Sequence, residues 1–327
     1  MKQLIPFIIA SVLISVSAIG QKTVPGNQPV ELGDISWFRN IDEAKQEAAN
    51  VNKPILILFQ EVPGCSTCKN YGNNVLSHPL LVDIIENEFV PLAIYNNKGG
   101  EDGKVLKHYG EPTWNNPVLR AVRPDGKDIV SRHAGRYDVS SLASYMEFAL
   151  STYGANTPEY VDVIAEELTS EKRNVSEAYY SMYCFWTGEA KLGQLDGVIS
   201  TSPGFMNGHE VVKVVYDKQK TNTNEISKKV KSDKFSFVTD PSKFRMDRDP
   251  QYYLKKSVYK YLPLSESQRT KINSAIAQRT NPDVYLSPTQ YKWKKKIMEK
   301  KSESGLVSLY DKDLMEAWKM CQEKFPV

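Results

Sequence analysis

Cysteine and histidine are both scarce in this chain of 327 residues, with four of each. A chain this long can build a hydrophobic core and does not need disulfides as a scaffold. Cysteines standing in a spaced pattern therefore read as chemistry. His78, His108 and His133 show no ligand spacing, so no metal centre is expected, and no bound cofactor is implied where cysteine redox chemistry suffices. An excess of one charge is also missing. The formal net charge is +3, with Lys and Arg interleaved with acids, which leaves no footprint for a nucleic acid. Nor is there an apolar run of the roughly 20 residues needed to span a bilayer. The segment from Leu4 to Ile19 is shorter, follows Met1-Lys2 and ends at Gly20-Gln21. Residues 1–20 are accordingly expected to be a secretory signal peptide, cleaved after Ala18 or Gly20. No cysteine follows that could carry a lipid. The mature form is expected in the periplasm or outside the cell, without a membrane anchor.

What is present describes a globular protein of two domains, with 41% hydrophobic and 25% charged residues. Residues 21–32 are polar and read as a leader. A helical pattern over Asn40–Asn52 is followed by Pro54–Phe59, a continuous apolar run of strand length that fits a central strand of an α/β sheet. A helix is expected at Leu80–Glu88, a strand at Phe89–Tyr95 and a polar loop at Asn96–Gly103. Two strands, Pro117–Val122 and Ile129–Val130, are expected around a turn at Arg123–Lys127, then a helix at Ser140–Leu150. Residues 154–172 read as a linker with a helical part through Glu167. Beyond it, strands are expected at Ala178–Phe185, His209–Tyr216 and Gln251–Tyr261, and helices at Glu189–Leu195 and Asn222–Val230. Ser265 and Gln268 form a capping-box pattern opening another helix. The lysines from Lys292 to Lys301 read as a solvated helix face.

Cys65-Ser66-Thr67-Cys68 follows the first buried strand and opens a helix. A helix N-terminus offers unpaired amides and partial positive charge, which stabilise a thiolate at Cys65. Cys68, one turn on, is placed to resolve a mixed disulfide. A zinc site would need two further ligands, and a structural disulfide would close a very tight loop. The order of strand, Cys-x-x-Cys helix, strand, Pro-led hairpin and helix resembles the thioredoxin fold over residues 33–153. By that resemblance Pro117 stands where such proteins carry a cis-proline facing the redox pair and the substrate. Val62-Pro63-Gly64 before the pair resembles one thioredoxin-like group, while the usual Trp-Cys-Gly-Pro-Cys is absent.

A second thiol stands in Tyr183-Cys184-Phe185-Trp186-Thr187-Gly188-Glu189. Reducing a sulfoxide takes a thiolate to attack sulfur, an acid to protonate the leaving oxygen and an apolar wall for the methyl group. Cys184, Glu189 and the pair Phe185 and Trp186 supply these in turn. The pattern Cys-Phe-Trp-x-x-Glu resembles the peptide methionine sulfoxide reductase A family. Gly208-His209-Glu210 and Asp247-x-Asp249-x-Gln251-Tyr252 resemble two further blocks of that family, in the same order, over about residues 172–290. The resemblance implies that Asp247 and Tyr252 orient and hydrogen-bond the sulfoxide oxygen, and that 173–327 form an α/β sandwich. It also matches the family's glycine-rich turn to Gly204–Gly208. There Phe205 replaces a tyrosine, losing a hydroxyl worth about 1–3 kcal/mol to an oxygen-binding site. Cys321, near the C-terminus, is expected by the same resemblance to be a resolving cysteine on a flexible tail. Without that role it is a half-buried helix cysteine.

Together these expectations describe an exported α/β oxidoreductase. Cys184 would reduce methionine (S)-sulfoxide in oxidised proteins or peptides. The thioredoxin-like domain would return electrons drawn from an envelope thiol donor. Two other readings stay open: a thiol–disulfide reductase whose C-terminal domain only presents methionine-containing substrates, and a module gripping methionine without turnover.

Overall fold

Six consecutive buried residues, Ile55–Gln60, form the strand around which the first half of the chain is organised. The computed structural model describes residues 22–114, 117–154, 157–170, 174–231, 235–239, 243–300 and 305–326. The expected signal peptide lies outside these.

Helix α1 (Ile41–Val51) is opened by the Asn40 side chain, which accepts from the amides of Asp42 and Glu43, and is closed by Asn52 in the left-handed region. Strand β1 (Ile55–Gln60) leads into α2 (Ser66–Asn74), followed by α3 (Pro79–Glu88) and β2 (Val90–Tyr95). Then come α4 (Gly100–Tyr109), β3 (Val118–Val122), β4 (His133–Ala134) and α5 (Val139–Tyr153). The sheet order is β2-β1-β3-β4, with β1 parallel to β2 and antiparallel to β3. Leu56 and Leu58 face one hydrophobic cluster, while Ile55, Ile57 and Phe59 face another. A strand covered on both faces is why its sequence runs apolar without alternation.

Two expectations here need correction. The polar stretch after Asn96 becomes helical at Gly100, because Glu101 and Asp102 suit a first turn and Lys107 and His108 a last one. Ile129–Val130 are not a strand: only Asp128 bridges Val122, and the return strand is β4.

Helix α6 (Glu159–Thr169) occupies most of the stretch expected as a linker. Its Tyr160, Val161, Ile164 and Ala165 are buried in the same cluster as residues of α3 and α5. The Tyr160 hydroxyl donates to Glu88 at 2.5 Å.

The second half contains β5 (Val175–Ser181), α7 (Phe185–Gly193), β6 (Val198–Met206), β7 (His209–Asp217) and α8 (Thr223–Val230). Short strands β8 (Ser236–Phe237) and β9 (Arg245–Met246) and the short helix α9 (Tyr252–Lys255) follow. The chain continues through α10 (Glu266–Gln278), α11 (Pro288–Glu299) and α12 (Leu314–Lys324). The sheet is antiparallel, in the order β8-β5-β7-β6-β9. Asn207 and Gly208, both with positive φ, close the β6–β7 hairpin. Gly204 to Met206, expected in a turn, therefore belong to β6. A Cβ at Gly204 would come within 2.5 Å of the Arg245 carbonyl oxygen, so the bare glycine lets β9 lie close. Gln251–Tyr261 is α9 and a 3-10 turn at Val258–Tyr261, not a strand.

Helices α10 and α11 both begin with full capping boxes, Ser265 with Gln268 and Ser287 with Gln290. The two glutamines also hydrogen-bond each other in both directions, at 2.7 and 3.0 Å. Trp293 of α11 and Trp318 of α12 pack edge to face at 4.8 Å. Both belong to the cluster that holds Leu56, Leu80 and Ile84, so one core runs from the first sheet into the C-terminal helices.

Candidate functional site

Two thiol centres stand at the N-termini of two helices. At the first, β1 delivers the chain into a short loop, Glu61 to Gly64, before α2. The Val62–Pro63 bond is cis. Asn97 ties the loop down, accepting from the Val62 amide at 3.2 Å and donating to the Pro63 carbonyl at 3.3 Å. The Gly64 amide donates to the buried Glu31 carboxylate at 2.8 Å. A Cβ on Gly64 would meet the Cys68 Cβ at 2.6 Å, so only glycine lets the loop cross there. Cys65 is exposed and caps α2, while Cys68 is buried one turn on, with the sulfurs 3.7 Å apart. Their acidities diverge. Hydrogen bonding from the Cys68 backbone amide, aided by Thr67, lowers the Cys65 pKa. Burial, with the neighbouring Cys65, pushes Cys68 up to about 11. An exposed acidic thiol beside a buried weak one suits attack by Cys65 and resolution by Cys68.

Glu61 joins this pair. Ligand atoms of Glu61, Cys65 and Cys68 all lie within 4.8 Å of one another. Sequence reading did not single it out, although an acid four positions before the first cysteine was the available signal. Pro117 is buried at the start of β3. The isomer of its bond to Asn116 lies outside the described residues.

The second centre is built by β5, α7 and the β6–β7 hairpin. Cys184 is half-buried and caps α7, which starts at Phe185, four residues earlier than the helix expected from Glu189. The Glu210 carboxylate accepts from the Phe185 amide at 2.6 Å, and its carbonyl accepts from the Met182 amide at 3.1 Å. Glu210 thus holds both sides of the Cys184 loop. Tyr183, beside the thiol, is 99% exposed.

Glu189, five residues on, is fully buried. One carboxylate oxygen accepts from the Gln251 amide at 2.9 Å, and the other has no hydrogen-bond partner among the described residues. Burial raises its pKa to about 8, opposed by Gln251 and Lys255 and reinforced by Asp247 and Asp249. At neutral pH this is a carboxylic acid holding a proton. Trp186 stacks on Tyr252 at 4.3 Å, with planes 18° apart, and its buried indole N–H is likewise without a partner among the described residues. Phe205 meets Phe185 at 5.1 Å, but Phe185 is itself a core residue and only 6% exposed. Trp186 and Phe205 are only partly buried where they pack on the cluster that holds Phe185. The Asp247 amide donates to Pro203, and its carboxylate accepts from the Asp249 amide at 2.9 Å, which fixes the turn carrying Gln251.

Cys321 stands apart from both centres. Expected on a flexible tail, it sits instead inside α12, 2% exposed, in the core cluster with Trp293 and Trp318. Its thiol points at the Tyr261 carbonyl oxygen, 3.9 Å away, and burial pushes it up to about 12.

No helix among the described residues is long and apolar enough to cross a membrane. No curated protein matches the chain. Among solved structures, one described as a DsbH oxidoreductase is similar at 16% identity, covering 39% of this chain and 93% of that one, with a TM-score of 0.32. A family model described as thioredoxin-like matches residues 36–124, which span α1 to β3 and the Cys65–Cys68 pair. The chain is a mixed α/β protein, and its N-terminal part is a thioredoxin-like domain.

Proposed function

We propose that the chain is a thiol-dependent oxidoreductase in which Cys184 reduces methionine (S)-sulfoxide in proteins or peptides and Cys65–Cys68 regenerates it. The observation that carries this reading is Glu189, a proton-holding acid buried on the helix that Cys184 caps. The Cys184 thiolate attacks the sulfoxide sulfur, and the former thiol proton and that of Glu189 pass to the oxygen, which leaves as water from a Cys184–sulfonium adduct. A second water adds to the Cys184 sulfur and returns a proton to Glu189, so methionine leaves and Cys184 becomes a sulfenic acid. The Cys65 thiol then displaces water from that sulfenic acid, forming a Cys65–Cys184 disulfide. Cys68 attacks Cys65, releasing the Cys184 thiol and leaving a Cys65–Cys68 disulfide for an external dithiol to reduce. Trp186, Tyr252 and Phe205 hold the substrate methyl. Cys321 is left out of this sequence because its burial and high thiol pKa oppose attack. The protein acts after export and draws its electrons from an envelope thiol donor.

The test is turnover of an S-epimer methionine sulfoxide peptide with dithiothreitol, by the wild type and Cys184→Ser. Turnover by the wild type alone supports the assignment. No turnover by either overturns it.

A second reading is favoured by Phe205, which lacks the hydroxyl expected at an oxygen site. In it the chain is a thiol–disulfide reductase through Cys65 and Cys68, and the second centre only binds methionine. Disulfide reduction lost in Cys65→Ser and intact in Cys184→Ser, with no sulfoxide turnover, would select it.

A further inference from the structure

We infer that the reduced Cys65–Cys68 pair, together with Glu61, forms a binding site for a thiophilic divalent cation, with Zn2+ as the probe. Two sulfurs and a carboxylate oxygen are the ligand types zinc takes, and three protein ligands leave the fourth tetrahedral position open. The geometry fits. Two sulfurs each about 2.3 Å from a tetrahedral zinc stand about 3.8 Å apart. The Cys65 and Cys68 sulfurs are 3.7 Å apart, and the Glu61 oxygen lies within 4.8 Å of both. An ion therefore needs no opening of the pair.

The three donors come from both sides of one loop: Glu61 at its start, Cys65 at its end, and Cys68 one helical turn further. Gly64 makes their convergence sterically allowed, because a Cβ there would lie 2.5 Å from the Glu61 carbonyl oxygen and 3.0 Å from the Cys68 sulfur. The Asn97 and Glu31 hydrogen bonds hold the loop in this form. Such bonds around a site usually sharpen metal affinity.

Binding releases the two thiol protons and transfers no electrons. With both sulfurs bound to the ion, neither is free for exchange, so occupancy and disulfide chemistry exclude each other. Oxidation by a diazene such as diamide takes two electrons from the thiolates, forms the Cys65–Cys68 disulfide, reduces the diazene to a hydrazine and releases the ion. The cysteines are shared with the proposed reductase, but binding is read on reduced protein without turnover. Failure of the sulfoxide assignment therefore leaves the result untouched.

The experiment titrates Zn2+ into the full chain carrying Cys184→Ser and Cys321→Ser, kept reduced by a phosphine, against a chromophoric chelator. One ion per chain is expected, with two sulfurs and at least one oxygen seen by X-ray absorption and release on diamide addition. Glu61→Gln in the same background should weaken binding at least about tenfold, the lower end of what disturbing a metal's surroundings costs. Unchanged affinity in Glu61→Gln would mean a plain dithiol is chelating and would overturn the site. So would the absence of binding by the reduced chain.

Discussion

A carboxyl group buried without a salt bridge is a burden to a fold once it ionises, and Glu189 has none among the described residues. Its folded pKa of about 8 lies above the ordinary 4.5, so the folded state holds a proton that the unfolded state has released between those values. Stability is therefore fully present below about pH 4.5 and falls as pH rises towards 8, by up to about 1.4 kcal/mol per pH unit. Glu189→Gln keeps an acceptor for the Gln251 amide and removes the titration. Its melting temperature should fall less than the wild type's between pH 5 and 8, and parallel curves would contradict the buried-acid account. Cys321 allows a second check at this scale. In native protein, mass spectrometry should find it unalkylated when Cys65 is fully modified, and accessible only after unfolding. Labelling at a similar rate would mean α12 leaves the core readily. Cys65 and Cys68 were legible in the sequence because their spacing after a buried strand places them on a helix start, and Cys184 and Glu189 because they stand in one short motif, although the helix start at Phe185 was not foreseen. Glu61 and Glu210 were not assigned roles, since what matters is where a loop or a hairpin brings their carboxylates.

Capping is where elements are joined most economically in this molecule. Gln268 and Gln290 each complete the box of their own helix and also pair with each other. Their spare amide protons go to the Tyr285 and Pro263 carbonyls. Both glutamine side chains are buried, so replacing one strands the other. Gln268→Ala and Gln290→Ala should each cost about 2 kcal/mol or more, and the double variant less than their sum by about 1–3 kcal/mol. Denaturant melts of the three variants measure this, and strict additivity would mean the pair is not coupled. The box at Ser265 was legible because it is local. The strand reading of Gln251–Tyr261 failed for a physical reason. Alternating aromatics report which side chains are covered, and here Tyr252, Leu254 and Tyr259 lie in a short helix and a 3-10 turn instead of a strand.

The molecule as a whole is knitted by a core that ignores the midpoint of the chain. Thr289 of α11 donates to Asp83 of α3 at 2.6 Å, and α12 adds Ala317, Trp318, Cys321 and Phe325 to the cluster that covers α3 and α5. Removing residues 314–327 should cost about 5 kcal/mol or more, at roughly 1.5–3 kcal/mol for each large apolar side chain lost. Hydrogen exchange should then accelerate in α3 and α5 as well as in the C-terminal helices. Exchange confined to the C-terminal helices would mean the halves are energetically separate. The first sheet was legible from the apolar runs of β1 and β2, but this shared core was not, because nothing local marks which distant face a helix will cover. The same core sets a schedule for synthesis. A ribosome adding about 5–20 residues per second finishes α5 many seconds before α12 emerges. Through that interval α6 can cover only part of the apolar side of the nascent thioredoxin-like domain, and whatever shields the rest then decides how much of the chain survives to close.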